Sequence, residues 1–261
     1  MQYNAVKMKG ENVNFYKYCA SGNDFVIFAD EQKKDRSQEA KMLCDRHSGI
    51  GADGLIVILP HEKYDFEWEF YNSDGSVPEM CGNGARAAAH FAVHFLNKPP
   101  RLEFLSKAGL IKASVEKKLV EITFSKVKNV KAAFHFKGKL WQGCDTGVPH
   151  LVHFCEDLSE FDAKFCKVLR DEFNANVNYA QIISPTQIKV RTFERGVEAE
   201  TLACGTGMAA SFYLAHQNKL VKNEVLVRPK SDEELFFRYD EEQVFFKGEV
   251  RCCFEAKYYF S

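Results

Sequence analysis

Two cysteines in this chain share one local pattern. Cys81-Gly82-Asn83-Gly84 runs into Ala85-Arg86-Ala87-Ala88-Ala89-His90-Phe91, and Cys204-Gly205-Thr206-Gly207 runs into Met208-Ala209-Ala210-Ser211-Phe212. Each reads as a cysteine in a tight turn that opens an Ala-rich helix, and the copies lie close to half the chain length apart. That spacing points to one structural unit present twice, with one thiol per copy. The first amide N–H groups of a helix have no intrahelical partner, and the helix dipole adds positive potential there. A thiol that titrates near ~8.5 in isolation is shifted toward thiolate at such a position. The same amides form a seat for a carboxylate. Gly82, Gly84, Gly205 and Gly207 let the backbone approach a ligand with no Cβ in the way. A carboxylate seated there is stabilised as the adjacent carbon loses its proton and charge builds. With one cysteine as thiolate and the other as thiol, a proton leaves one face of an α-carbon and another arrives on the opposite face. Exchanging the two protonation states runs the reaction backwards, and the scheme needs no cofactor.

The elements that must position these thiols are read from turn signals and periodicity. An extended stretch from Phe15 to Asp30 is broken by the turn-rich Ala20-Ser21-Gly22-Asn23-Asp24. Residues from about Ser37 to His47 read as a helix, which Gly49-Ile50-Gly51-Ala52-Asp53-Gly54 ends before a strand over 55–59. Phe66 to Tyr71 alternates like a half-buried strand and runs into the turn Asn72-Ser73-Asp74-Gly75-Ser76. Further strands are expected from Leu102 to about Val130, and a second series begins near Ala132 and contains Asp145-Thr146-Gly147-Val148-Pro149-His150. A helix near 162–173, strands near 177–183 and 188–193, the second Cys-Gly helix to about Asn218 and three terminal strands complete the chain. From Ala87 to Phe95 only His90 and His94 interrupt an apolar run, so that helix must be buried nearly all round. β-rich halves that each carry such a helix predict an α+β architecture with two pseudo-symmetric domains. Each is expected to be a curved, mostly antiparallel sheet or barrel around a central apolar helix, with the active site in the cleft between them. The expected domains are 13–128, completed by a C-terminal strand at about 248–261 and carrying Cys81, and 129–247, carrying Cys204.

The composition excludes several classes. Of 261 residues, 46% are hydrophobic and 27% charged, with a formal net charge of −1 and no basic run. Nothing electrostatic asks for nucleic acid or an anionic membrane. No apolar run reaches the roughly 18 residues of a spanning helix, so no membrane association is expected. Residues 1–12 lack the apolar core of a signal peptide and read as a short polar leader, which makes the cytoplasm the expected compartment. Nine cysteines, an odd number with no Cys-x-x-Cys, argue against both a disulfide framework and structural zinc, so no metal is expected. Cys19, Cys44, Cys144, Cys155, Cys166, Cys252 and Cys253 read as small buried apolar residues.

With these residues in view, the chain resembles the diaminopimelate epimerases. The resemblance is carried by Phe15-Tyr16-Lys17-Tyr18 leading to Ser21-Gly22-Asn23-Asp24-Phe25, by Asn72-Ser73-Asp74-Gly75-Ser76, by Cys81-Gly82-Asn83-Gly84-Ala85-Arg86, by Gly147-Val148-Pro149-His150, and by Glu194-Arg195-Gly196 through Cys204-Gly205-Thr206-Gly207. It implies interconversion of LL- and meso-diaminopimelate without pyridoxal phosphate or other cofactor, in lysine and peptidoglycan synthesis, by an enzyme that is often a homodimer. It further implies that Cys81 and Cys204 are the acid/base pair. Asn23 and the backbone of Gly82, Asn83, Gly205 and Thr206 would hold the reacting amino-acid centre. Asn72, Asn178 and Arg195 would grip the distal end, with Arg195 offering a fork that pairs with a carboxylate. Glu194 would accept from the reacting ammonium, and His150 would lie near it and help set the cysteines' protonation.

Three positions depart from the family pattern. Many members carry Gln where Gly54 stands and Asn where Val148 stands, so neither position inherits a side-chain role. Val197-Glu198-Ala199-Glu200 makes the approach to Cys204 one residue longer than is common. Proline racemases and hydroxyproline epimerases share the implied fold and thiol pair but carry His where Asn83 stands. A cysteine hydrolase with His90 or His150 as base would have no use for two equivalent thiols. A non-catalytic amino-acid binding module would tolerate loss of either one.

Overall fold

Alternation decides which face of each strand turns inward. In Phe66-Glu67-Trp68-Glu69-Phe70, the aromatics are buried and the glutamates between them half-buried. The computed structural model describes residues 13–124 and 126–258. The chain divides into two compact units, Met1–Ile122 with Gly248–Ser261, and Thr123–Lys247. The leader expected over residues 1–12 lies outside the described residues.

The first unit opens with β1 (Val13–Ala20) and β2 (Asn23–Ala29), an antiparallel hairpin closed by Ser21 (φ 50) and Gly22 (φ 79). Positive φ at both turn residues matches the right-handed twist of the strands. Helix α1 (Ser37–Cys44) leads to β3 (Gly54–Leu59), parallel to β2, and β4 (Phe66–Asn72), antiparallel to β3. Helix α2 (Gly82–Phe95) crosses to β5 (Arg101–Ser106), parallel to β4, and β6 (Gly109–Glu116) and β7 (Leu119–Thr123) follow as an antiparallel meander.

The second unit repeats this order. After the short β8 (Phe134–Phe136) come β9 (Lys139–Asp145) and the antiparallel β10 (Pro149–Cys155). Helix α3 (Ala163–Phe173) then leads to β11 (Asn176–Ser184), parallel to β10, and β12 (Gln187–Glu194), antiparallel to β11. A short β13 (Ala199–Thr201) edges β12 before α4 (Gly205–Gln217) crosses to β14 (Glu224–Arg228), parallel to β12. β15 (Leu235–Asp240) and β16 (Gln243–Glu249) close an antiparallel meander. Finally β17 (Arg251–Tyr258) returns to the first unit and pairs with β1. The sequence of antiparallel and parallel pairings is the same in both units, which identifies the repeat independently of the cysteines.

Each unit is layered. β3 is buried along its whole length because α1 packs on one face and α2 on the other. In the second unit α3 packs on β11 and β12, while α4 touches β9, β10, β11, β12, β14 and β15 and is therefore covered on several sides. Small residues make this possible: Ala85, Ala87, Ala88, Ala89 and Ala92 of α2 and Ala209, Ala210 and Ala215 of α4 are sealed. Outside this layer, Trp141, Leu169, Val177, Tyr179 and Phe193 hold α3 to its sheet. Asp162 starts α3 by accepting from the amide of Lys164 at 2.8 Å, a cap worth about 1 kcal/mol.

The structure adjusts several expectations. The first helix ends at Cys44 rather than His47, because Asp45 leaves the helical region (ψ 127) and accepts from the amides of His47 and Ser48. Among the described residues four strands, not three, follow α4. Burial of α2 stops at Ala92, and its last turn emerges with His94 and Phe95 exposed. The first unit ends at Ile122, before the expected 128, and its return segment begins at Gly248.

One buried charge cluster ties α1 into the first unit. The Arg36 side chain is fully buried and pairs with Asp30 Oδ2 at 2.7 Å and with Glu69. Burial still holds the Glu69 carboxyl above its ordinary range despite the neighbouring guanidinium. The Arg36 amide donates to the Tyr71 hydroxyl at 3.2 Å. Removing the cation while keeping its length leaves the buried Asp30 and the half-buried Glu69 without their guanidinium partner. Arg36→Met is therefore expected to lose about 3–5 kcal/mol in urea unfolding, whereas Arg36→Lys loses less.

Candidate active site

In the first unit the candidate residues converge where β2 and β3 begin, β4 ends and α2 starts. Cys81 is the N-cap of α2 (φ −142, ψ 107), and its Sγ accepts from the Gly84 amide at 3.3 Å. Behind it runs a chain of side-chain bonds. Arg86, fully buried, donates to Asn83 Oδ1 at 2.8 Å and to Ser21 Oγ at 2.6 Å. Asn83 Nδ2 donates to Asn23 Oδ1 at 2.8 Å, and Asn23 Nδ2 donates to Asp53 Oδ2 at 3.0 Å. Arg46 bridges Asp53 and Asp24 at 2.9 and 2.8 Å, and Lys17 pairs with Asp24 at 2.7 Å. Hydrogen bonds from Arg46 and Lys17 hold the Asp24 carboxyl down at about 2, against the opposing effect of burial. The Asn23 amide is thus held at both its oxygen and its nitrogen, and it keeps one N–H to offer. Asp53 is a site residue the sequence reading missed, and its position directly before Gly54 is the only local signal.

Asn72 closes the same end of the sheet. It pairs with Gly54 across β3 and β4, and its Nδ2 donates to Ser76 Oγ at 2.9 Å. A Cβ at Gly54 would stand 2.6 Å from the Phe70 ring and 2.8 Å from the Tyr71 carbonyl. The ring fills the volume a longer side chain would need, which explains the departure at this position.

In the second unit the corresponding end of the sheet carries the other candidates. Cys204 is the N-cap of α4 (φ −126, ψ 106), with Sγ 3.4 Å from Thr206 Oγ1. Glu194, at the end of β12, lies beside Thr201 and Cys204, and burial raises its carboxyl above the ordinary range although both neighbours act to lower it. The buried Thr146 donates to the Thr206 carbonyl at 2.9 Å and so pins the first turn of α4. Arg195 donates from Nη1 to the Asn174 carbonyl at 3.1 Å, and among the described residues no carboxylate forms an ion pair with it.

His150 and Asn178 lie deeper than expected. Asn178 is fully buried, donating to His150 Nδ1 at 3.1 Å and to the Leu151 carbonyl at 2.8 Å, while its Oδ1 accepts from the Thr192 hydroxyl at 2.9 Å. Both amide hydrogens are spent, so Asn178 supports His150 rather than presenting its amide to a ligand. Burial first, and then the Arg195 charge, push His150 down to about 3. It is neutral at physiological pH and brings no charge to the thiols. The neighbour missed by sequence reading is Asn176, two residues earlier on the same strand face. It is buried, its Oδ1 accepts from the Arg195 amide at 2.7 Å, and its Nδ2 lies 3.4 Å from His150 Nε2. The longer loop after Arg195 is held by Glu198, which pairs with Arg170 at 2.7 Å and Lys167 at 3.2 Å of α3.

The other cysteines divide by exposure. Cys44, Cys144 and Cys166 are buried, and burial pushes each thiol up to about 12, as expected of inert packing residues. Cys19, Cys155 and Cys252 are half-buried and Cys253 is exposed, which corrects the expectation that all seven are sealed. His90, two and a half turns along α2 from Cys81, sits 3.1 Å from the Tyr18 hydroxyl and is pushed down to about 4 by burial. It is not placed as a base for that thiol. Among the described residues no cluster of His, Cys, Asp and Glu could hold a metal ion, and no helix is long and apolar enough to cross a membrane.

Two consequences follow from this packing. A Cβ on Gly207 would overlap Oδ1 of Asn178, whose side-chain amide is held by three hydrogen bonds, and would stand 3.0 Å from Thr192 Oγ1. Gly207→Ala is expected to cost about 2 kcal/mol in urea unfolding and to shift the first turn of α4. Like His90, His150 is a pH-dependent element. Its folded pKa is depressed, so the unfolded chain binds a proton below about 6.5 that the folded protein refuses. Stability is full above that pH and falls as pH drops toward 3. Between pH 7.5 and pH 5, His150→Gln should lose about 2 kcal/mol less unfolding free energy than the parent, read from urea midpoints at the two pH values.

Comparison with known proteins places the chain among relatives of one family. The sequence profile described as diaminopimelate epimerase matches residues 15–130 and 144–252. The diaminopimelate epimerase of Campylobacter lari is 63% identical over 249 residues, covering 95% of this chain and 100% of the relative. That of Nitratiruptor sp. is 57% identical over 240 residues, covering 92% and 96%. Among solved structures, a probable proline racemase from Agrobacterium radiobacter K84 superposes with a TM-score of 0.74 at 12% identity, over 95% of this chain and 93% of that one. The last likeness concerns the fold alone, whereas the first three are of sequence. Together with the repeated Cys-capped helices, they establish that the chain belongs to the diaminopimelate epimerase family.

Proposed function

We propose that this protein interconverts LL- and meso-diaminopimelate by two-thiol proton transfer at the α-carbon, without a cofactor. The observation that carries the reading is the equivalence of Cys81 and Cys204, each the N-cap of a buried helix at the same point of a repeated topology. In this reading each of the two units contributes one thiol to the reaction. One cysteine, as thiolate, takes the α-proton. The other, as thiol, delivers a proton to the opposite face, and the enzyme is left with the two protonation states exchanged.

The remaining roles follow from what each group has to offer. The amides of Gly82, Asn83, Gly205 and Thr206 at the two helix starts seat the reacting carboxylate. Asn23, its amide plane held by Asn83 and Asp53, offers its remaining N–H to the same end. Glu194 accepts from the reacting ammonium. Arg195 and Asn72 take the distal end, and the absence of a carboxylate partner for Arg195 among the described residues supports its pairing with the distal substrate carboxylate. Asn178 and Asn176 act by positioning, the first through His150 and the second through the Arg195 amide. A homodimer in the bacterial cytoplasm is the form in which we expect the enzyme to work. The rival reading, a proline racemase or hydroxyproline epimerase, shares the fold, but Asn83 and the Glu194-Arg195 pair suit an acyclic substrate with two zwitterionic ends.

The test is deuterium wash-in, with fully reduced protein and LL-diaminopimelate in D₂O, the α-proton signal being followed by NMR. Loss of that signal with appearance of the meso isomer is expected. Cys81→Ala and Cys204→Ala should each lower epimerisation by about 10³-fold or more, the scale of a lost general acid or base. Exchange with proline or hydroxyproline but not with diaminopimelate would move the protein to the rival reading, and no exchange with any amino acid would refute both.

A further inference from the structure

We infer that Phe70 is a substrate-contacting, specificity-determining residue whose ring forms an apolar floor between the Cys81 thiol and the Asn72 amide. Trp68, Phe70 and Asn72 are alternate residues of β4 and so project from one face of the strand. At one end of this row, Cζ3 of Trp68 lies 3.3 Å from the point where a Cβ on Gly84 would stand, and the Cys81 Cβ lies 3.5 Å from the same point. Trp68 therefore abuts the first turn of α2 beside the thiol. The Phe70 ring stacks on it, with centroids 5.4 Å apart and planes 14° apart. From there Phe70 leans over Gly54, the direct cross-strand partner of Asn72, at a distance only glycine permits. The two rings thus run from the first turn of α2, which Cys81 caps, to Gly54 opposite Asn72. Both retain 7% exposure, whereas the neighbouring Phe66 and Phe104 are sealed at 1% and 0%.

This inference rests on the proposed function. A 2,6-diamino diacid has a run of methylenes between two polar ends. With one end at the helix start and the other at Asn72, the methylenes cross the two rings. Apolar area covered in this way is covered alike in ground state and transition state, so its loss appears in KM and not in kcat.

Wash-in kinetics over a range of diaminopimelate concentrations test it on the parent, Phe70→Leu and Phe70→Ala, with near-UV circular dichroism reporting the folded fraction. KM is expected to rise about threefold for the Leu variant and about tenfold for the Ala variant, with kcat per folded molecule within about threefold of the parent. If KM stays at the parent value while only the thermal midpoint falls, the ring is a core side chain and the inference is overturned. Should Phe70→Ala fail to fold, the Leu variant decides: a raised KM supports the inference and an unchanged KM overturns it. A parent that exchanges no proton refutes the proposed function and this inference with it, whereas an active parent with unchanged KM in the variants refutes the inference alone.

Discussion

A helix covered on several sides that must still present an ionisable thiol at its first turn is the constraint from which the rest of this structure follows. At the start of α2, where Gly82, Asn83 and Gly84 are buried, the orphan amides can be answered only by protein groups or by a ligand. Close coverage demands alanines along α2 and α4 and leaves no space at Gly207, where Asn178 and Thr192 press against the backbone. The thiol is consequently the polar group at the mouth of an otherwise apolar layer. Neither helix would be stable in water with so little polar surface, and neither thiol would sit beside unpaired amides without the helix behind it.

The two helix starts are held by different means. In the first unit a chain of side chains, from Arg86 through Asn83 and Asn23 to Asp53 and Arg46, fixes the Asn23 amide against the first turn of α2. In the second, Thr146 holds the first turn through the Thr206 carbonyl, and Glu194 reaches the Cys204 side chain directly. The common topology thus carries unequal polar surroundings. That suits a substrate of which one end reacts while the other is held, and it shows how a duplicated scaffold diverges: strands and helices stay equivalent while the loops at one end of each sheet take separate roles.

His150 illustrates how depth changes a residue's meaning. A histidine in a loop-like Gly-Val-Pro-His run is read from sequence as a group that titrates near neutral pH. In the fold its ring is sealed, bonded by Asn178 and faced by the Arg195 charge, so the neutral form persists far into acid. Asn178 changes in the same way, from a ligand-facing amide to an internal brace, because its neighbours Thr192 and Leu151 consume its hydrogen-bonding groups. Asn176 and Asp53 moved in the opposite direction, from unremarked residues to supports of Arg195 and Asn23.

Several features are local in origin and were therefore legible in the chain itself. The duplicated Cys-Gly-x-Gly turns, the apolar periodicity of the two helices, the alternation of β4 and the Ser-Gly and Asn-Ser-Asp-Gly turns each depend on residues within a few positions of one another. The order of motifs along the chain was enough to name the family. What only the tertiary structure decided is nonlocal: which buried amides are already satisfied, that the Phe70 ring occupies the volume over Gly54, that α2 surfaces after Ala92, and that among the described residues four strands, not three, follow α4. These outcomes depend on contacts between residues far apart in the chain. Hydrogen-bond satisfaction and steric volume are properties of the assembled neighbourhood, which no window of sequence contains.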